Sequence, residues 1–547
     1  MKRPIHPFPG GVHPAEHKHE STGAAIVAMP LLPRYIVPLS QHIGTAAVPM
    51  VKVGERVLRG QMIGRPEGRV SAAVHTPTSG IVSAVEMRPV AHPSGLSGLC
   101  VVIESDGDDR AVEMQGMDWR HADPADVRAR VADLGIAGLG GAVFPSSVKL
   151  DKGKAGHIPT LILNGSECEP WITCDDLLMR ERATDTLLGA GIMRQLLGAQ
   201  DVLIGIEDNK PEAAAAMREA ARQCGFPAEV VVVPTLYPSG GAKQLTKLLT
   251  DLDTPTGKLS TDIGVQVFNV GTAYSLYRAL EHGEPLTSRV VTVTGHVARP
   301  GNFEARIGTP IRDLLATAGG ELAECTGHIV GGPLMGFDLD DDLSPVVKSV
   351  NCVIAKSLAL FPPTPPAMPC IRCGQCARVC PAELQPFELY WYAKAKDFDK
   401  TQRYNLFDCI ECGCCSYVCP SHIPLVDYYR YAKSEIRARV KDGLAAEAAR
   451  ERHDFRTFRL EREKREKAEK LAQKASTKLD GGAVAGDDPE AAKKKAILQA
   501  AIERAAKAKE AAQPQNTDNL TPTQAREIEE IEARRLSAEA EAAKESG

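Results

Sequence analysis

Two stretches decide how this chain is organised: CIRCGQCARVCP, residues 370–381, and CIECGCCSYVCP, residues 409–420. Each spells C-x2-C-x2-C-x3-C-P, the ligand pattern of a cubane iron–sulfur cluster, in which a close triplet of thiolates holds one cluster and the fourth cysteine reaches the other. The spacing therefore assigns Cys370, Cys373, Cys376 and Cys419 to one [4Fe–4S] cluster, and Cys409, Cys412, Cys415 and Cys380 to a second. Proline follows each fourth ligand and turns the chain away. A zinc site would use two spaced pairs instead of a triplet plus one, repeated twice. Cys414 has no slot in this scheme and is expected to be a neighbouring free thiol.

At 547 residues the chain has room for several domains of about 100–200 residues. The net charge of −5 offers no global basic field for nucleic acid. No run approaches the roughly 18 apolar residues that span a bilayer, and the opening MKRPIHPFPGGVHPAEHKHE lacks the apolar core of a secretory signal. Fifteen cysteines without such a signal suit a reducing compartment, where thiols serve metals.

From the N-terminus, residues 1–35 form an irregular, Pro- and His-rich segment. The spacing of His6, His13, His17 and His19 is broken by proline, so a packing segment is expected, not a metal site. Residues 36–112 alternate short strands and turns; VKVGERVLRGQMIG and HTPTSGIVSAV look like the halves of a barrel-sandwich domain of the lipoyl/biotinyl kind. Arg69 falls where a carrier lysine would stand, so the fold is expected without the carrier function. Residues 120–284 alternate apolar strands and helices, an α/β pattern with ligand loops at strand ends. Residues 285–340 read as a hairpin and a helix opened by Pro310 at its first position. Residues 341–366 end in a proline cluster and read as a stiff linker. Residues 367–441 hold the cysteine motifs, with aromatic helix packing between them. Residues 442–547 are rich in Ala, Lys and Glu with little apolar area, a helical or disordered tail; the basic cluster 493–495 is read as a solvated charge run, not a lipid contact. The fold class is thus multidomain α/β.

Four loops of the α/β region carry a resemblance: GIAGLGGAVFPSSVKL (135–150), LNGSECEPWITCDD (163–176), YPSGGAKQL (237–245) and FNVGTAY (268–274). In order and spacing they resemble the flavin- and NADH-binding subunit of respiratory complex I, and residues 289–320 resemble the β-grasp (SLBB) domain that follows it there. The resemblance implies that Gly138, Gly140, Gly141 and Lys149 wrap the FMN phosphate and ribityl chain, and that Phe144 lies near the nicotinamide or adenine. It implies further that Asn164 and Glu167 contact the flavin and Glu169 the NADH, that Gly240 belongs to the cofactor-binding set, and that Asn269 and Thr272 close the FMN pocket. Three positions depart from that pattern. Leu139 stands for an arginine, Ser166 for an aspartate, and Gly241 and Ala242 for two adjacent glutamates.

Barrel-sandwich, flavin, β-grasp and two-cluster ferredoxin domains in this order, with the opening FPGGVHP, resemble the RnfC (RsxC) family of the Rnf ion-translocating oxidoreductase complexes over about residues 5–440. The resemblance implies a peripheral subunit on the cytoplasmic side of the bacterial inner membrane, held by partner subunits. It would pass electrons between NAD(H), non-covalent FMN and two [4Fe–4S] clusters, toward ferredoxin or flavodoxin, with no nucleic acid involved. Two alternatives remain: an iron–sulfur scaffold with no working NADH site, and a soluble NADH-dependent iron–sulfur flavoprotein reductase. The related A subunit of the Na⁺-translocating NADH:quinone reductase lacks the two cysteine motifs, which argues against it.

Overall fold

The computed structural model describes residues 3–152 and 156–480, with scattered positions between 493 and 507. Two units divide the chain, 1–433 and 434–547.

Within the first unit, the apolar run TLILNG forms the strand Thr160–Gly165, buried on both faces as an inner strand of a parallel sheet must be. Its four-stranded parallel sheet runs Ala228–Val233, Asp201–Glu207, Thr160–Gly165, Val265–Asn269. Chain order reverses between the last two. Asn164 and Asn269 face each other in register at their carboxyl ends, the crevice where open α/β sheets receive ligands. Helices Ala183–Leu197 and Val270–His282 cover one face through a core of Leu187, Met193, Leu196, Ala273 and Leu276.

The barrel-sandwich region is two antiparallel sheets, Arg34–Pro38, Ser97–Ser105, Gly80–Pro89, Arg56–Val57 and Val48–Pro49, Met62–Arg65, Val74–His75. They close on Tyr35, Val37, Ile63, Val82 and Val101. Arg69 is exposed and pairs with Asp151 at 4.0 Å.

The β-grasp region forms a six-stranded mixed sheet, Val27–Ala28, Gly301–Arg306, Ser288–Gly295, Cys352–Lys356, Gly327–Val330, Phe337–Leu339. Two expectations are corrected here. Cys352–Lys356 is a buried central strand, so the linker starts after Ser357, not at 341; the apolar alternation of NCVIAK was masked by the prolines that follow it. Pro310 sits just before the helix Ile311–Thr317, not as its first residue.

Residues 3–35 are threaded across all of these regions. Val27 pairs parallel with Phe303, Val12 bridges to Tyr237, and Gly11 N–H donates to the Val379 carbonyl at 3.0 Å. His17 stacks on Trp171 at 4.1 Å, which bears out the packing reading of this segment. Lys348 ties the parts together, its buried Nζ donating to the carbonyls of Ala73 (3.1 Å) and Gly135 (2.7 Å).

Between the cysteine motifs lie helices Pro386–Lys394 and Phe398–Arg403; the break falls at Lys396, whose φ is +57°. A helix then runs Leu425–Asp480. Its part beyond 433 is rich in charge, with exposed i,i+4 pairs such as Arg459–Glu463 (3.7 Å), so the tail is helical at least to 480. The cluster 493–495 lies largely outside the described residues. Among the described residues no helix is long and apolar enough to cross a membrane.

Candidate functional site

A cavity of about 1020 Å³ opens at the sheet's switch point. Every one of the four loops contributes to its wall: Gly140 and Gly141, Asn164 and residues 166–169, Tyr237, Pro238 and residues 240–244, and Asn269. Two further walls come from outside the flavin region. The barrel-sandwich domain supplies Gln41, His42 and the 90–98 loop, and the β-grasp domain supplies Val330, Gly331, Gly332, Met335 and Gly336. The run VGGPLMG, residues 330–336, thus faces the cavity, whereas the barrel's contribution had no signal in the sequence.

The expected site residues fall into two groups. Gly140, Gly141, Asn164, Glu167, Glu169, Gly240 and Asn269 line the cavity. Gly138, Phe144, Lys149 and Thr272 stand behind it. Gly138 N–H donates to the Phe144 carbonyl (2.9 Å), and Thr272 Oγ1 accepts from Leu139 N–H (2.9 Å), so these residues shape the glycine loop from the rear. Lys149 is turned away, with Nζ donating to the Val267 carbonyl and lying 4.4 Å from the Phe268 ring centroid. Burial alone lowers its pKa to about 8. The strand end beside it thus captures the long side chain and holds the ammonium off the cavity wall.

The lining polar groups are mostly engaged with each other. Asn164 Oδ1 accepts from Ser166 N–H (3.0 Å) while its Nδ2 donates to the Gly240 carbonyl (2.7 Å), which fixes the second loop to the third. Asn269 caps the Val270 helix through Gly271 N–H (2.8 Å) and donates to Asp175 Oδ2 (2.6 Å). Glu167 turns its carboxylate to the start of the helix Cys174–Glu181, accepting from Asp175 N–H (2.8 Å) and Asp176 N–H (3.3 Å), a favourable place for negative charge. Burial, reinforced by the Glu167 charge, raises Asp175 to about 7. Glu169 Oε1 accepts from Leu334 and Met335 N–H (2.7 and 3.0 Å), while its buried Oε2 has no protein partner.

Sequence reasoning missed the piece that holds this second loop. Lys18 is buried, and its Nζ donates to the carbonyls of Glu167 (2.6 Å), Glu169 (2.9 Å) and Ile172 (2.7 Å). Nothing in the spacing of the N-terminal segment marks it. Asp175 was within reach of inspection, because two consecutive acids open the helix after the loop.

A flavin fits what these residues offer. The glycine loop lets backbone approach closely, since a Cβ on Gly140 would lie 2.8 Å from the Asn269 Cβ. The unpartnered Glu169 Oε2 awaits a donor from a ligand.

The cysteines assemble as their spacing predicts. Cys370, Cys373, Cys376 and Cys419 line one small cavity with Phe387, Ile423 and Leu425. Cys380 lies close enough to the other triplet for electrostatic coupling with Cys409, Cys412 and Cys415. Burial pushes Cys409 up to about 11 and also raises Cys376, Cys380 and Cys415. In the second set Cys412 and Cys415 are buried and Cys380 and Cys409 half-buried, a crowding of sulfurs that suits a cationic iron–sulfur core. Backbone N–H groups of Arg372, Glu411 and Leu384 donate to the sulfurs of Cys370, Cys409 and Cys380 at 3.4 Å each. Cys414 is fully buried beside Tyr237.

The second motif adjoins the large cavity. Ile410 lies on its wall, Tyr237 Oη donates to the Cys412 carbonyl at 2.6 Å, and Leu334 of the β-grasp loop packs on Gly413. Cys373 of the first motif is exposed.

Comparison with known proteins agrees with this geometry. Four family models match in order: the RnfC barrel sandwich hybrid domain over residues 6–108, the Nuo51 FMN-binding domain over 131–278, the SLBB domain over 290–338 and a 4Fe-4S dicluster domain over 369–423. Among curated relatives, the ion-translocating oxidoreductase complex C subunit of Pseudomonas aeruginosa is 47% identical over 454 residues, 83% of this chain and 58% of its own length. Its Serratia proteamaculans counterpart is 48% identical over 404 residues, 73% of this chain and 57% of its own length. That of Citrobacter koseri is 45% identical over 546 residues, 98% of this chain and 76% of its own length. The chain thus spans under three-fifths of the first two relatives. An NAD⁺-reducing [NiFe]-hydrogenase structure in the air-oxidized state aligns at a TM-score of 0.40 with 20% identity, over 51% of this chain and 54% of that one, too distant a likeness to bear on the fold. With domain models, their order and the identity all in agreement, the chain belongs to the RnfC family of ion-translocating oxidoreductase complex subunits.

Proposed function

We propose that this chain is the peripheral electron-transfer subunit of a membrane-bound, ion-translocating NADH:ferredoxin or flavodoxin oxidoreductase, acting on the cytoplasmic face of the inner membrane beside its partner subunits. The observation that carries the reading is the contact between the large cavity and the second cysteine motif through Tyr237 and Ile410. FMN, when bound, supplies the one conversion the pathway needs, taking a hydride from NADH and yielding single electrons.

The chain's own residues set the conditions for that conversion. Gly140, Gly141, Asn164, Glu167, Glu169, Gly240 and Asn269 would hold the nucleotides, and Asp175, close to neutral-pH titration, would hold or release a proton at the cavity wall. The Tyr237 hydroxyl bridges to the loop of Cys412. This order supports a path from the cavity to the set Cys380, Cys409, Cys412 and Cys415, and from there to Cys370, Cys373, Cys376 and Cys419, whose exposed Cys373 suits delivery to a partner.

The test is an anaerobic NADH titration of the purified protein, followed by visible absorbance and low-temperature EPR. Flavin bleaching with growing reduced-cluster signals supports the reading. Reduction by dithionite but not by NADH overturns the NADH part of it.

A further inference from the structure

The third loop departs most from the complex I pattern, where two adjacent glutamates stand at the positions of Gly241 and Ala242. The structure gives the departure a chemical meaning. Gly241 precedes the helix Ala242–Thr250, no side chain caps that helix, and its first turn contains no acid. The first-turn N–H groups of a helix have no acceptor within it. Here they belong to Ala242, Lys243 and Gln244, all on the cavity wall.

Three independent observations point to a ligand at this terminus. Lys243 is the only lysine or arginine on the cavity wall among the described residues, against the carboxyl groups of Glu167, Glu169 and Asp175. Its Nζ is partly exposed and bound only to Asp408 Oδ1 at 3.3 Å. Gln244 is 4% exposed, and its Oε1 has no partner. That oxygen sits at the helix terminus, since a Cβ on Gly241 would lie 2.3 Å from it. The adjacent Gly240 is equally confined, with a Cβ there 2.3 Å from the Ser166 carbonyl oxygen. Gly241 and Ala242 thus leave the backbone bare where the two carboxylate side chains would otherwise fill the cavity.

We propose that the start of this helix, with Lys243, is a phosphate subsite, and that Gln244 Oε1 accepts a sugar hydroxyl next to the phosphate. A carboxylate pair receives ribose hydroxyls and repels phosphate; bare N–H groups plus an ammonium do the reverse. The subsite takes a phosphate ester of a bound nucleotide, from either the dinucleotide or the flavin. The inference rests on the nucleotide-cavity reading above.

The test uses the full chain with its clusters reconstituted anaerobically, as wild type, Lys243→Ala, Lys243→Glu and Lys243→Arg. FMN and riboflavin retention are measured, and the NADH KM is read with ferricyanide as acceptor. Unchanged cluster EPR certifies each variant as folded. If the dinucleotide supplies the phosphate, Lys243→Glu raises the NADH KM by roughly tenfold or more, far more than it lowers kcat, while FMN content holds and arginine restores the KM. If FMN supplies it, Lys243→Glu weakens FMN but not riboflavin. Unchanged FMN affinity together with an unchanged NADH KM in both Ala and Glu variants overturns the inference. Wild-type protein that dithionite reduces and NADH does not is a different failure, one of the NADH reading, and the FMN comparison still decides the subsite.

Discussion

Replacing Lys18 with methionine should loosen the second cavity loop without touching any lining residue. The Lys18 ammonium gives its three hydrogens to three carbonyls at 2.6–2.9 Å. Hydrogen bonds with a charged partner contribute roughly 1.5–3 kcal/mol each, so the gross loss is about 4.5–9 kcal/mol. Against that, the substitution removes the desolvation cost of a buried ammonium, several kcal/mol, the same burial that lowers the pKa of Lys18. The net destabilisation expected is about 2–4 kcal/mol. For a cooperative unit of about 150–250 residues, each kcal/mol moves Tm by roughly 2–4 °C, so the flavin region should melt about 5–15 °C lower. The assay follows flavin fluorescence on heating, because release from the cavity unquenches it, with circular dichroism alongside. A Lys18→Met protein that binds FMN stoichiometrically and melts within about a degree of wild type would refute the claim that this lysine fastens the loop.

The remaining expectations are simpler. Cys373→Ser and Cys412→Ser should each lose about half of the bound iron, read by iron analysis and EPR; iron unchanged in both would undo the ligand assignment. Gly240→Ala drives a methyl to 2.3 Å from the Ser166 carbonyl oxygen, so it should destabilise by about 1–3 kcal/mol and release flavin, measured by retention after gel filtration. Lys348 titrates at about 7 in the fold against 10.5 when free, because of burial. Between those values the unfolded chain binds the proton and the folded chain does not, so its contribution to stability rises with pH, by up to roughly 1.4 kcal/mol per unit. Denaturant unfolding at pH 7 and pH 9 should therefore show wild type gaining on Lys348→Met; a constant difference would contradict the assignment.

What was legible in the sequence was whatever is local. The cysteine spacing encodes its own cross-ligation, and the carboxyl-end loops follow strands whose apolar runs announce a parallel sheet. What was hidden depends on distant packing. Lys18 looks like any lysine of a polar segment until the fold closes around it. The strand Cys352–Lys356 is too short to stand out beside a proline cluster. Lys149 was expected to reach forward to a phosphate, and the Val267 carbonyl and Phe268 ring hold it back. The barrel-sandwich domain was expected to keep its fold without a carrier function, yet His42 and the 90–98 loop form part of the cavity wall, a role that no motif of theirs records.

The threading of the N-terminal segment sets a timetable for biosynthesis. Ser21 must wait 281 residues for Asn302, whose Nδ2 donates to its carbonyl, and Lys18 waits 149 for Glu167. At about 5–20 residues per second on the ribosome, the first segment made spends roughly a quarter-minute to a minute without its partners. Lys18 would already be at hand when its loop emerges, so this segment would dock piece by piece as each partner appears. An insertion within residues 3–35 would therefore disturb several docking steps in turn, whereas one in the charged helix beyond 433 would leave them free.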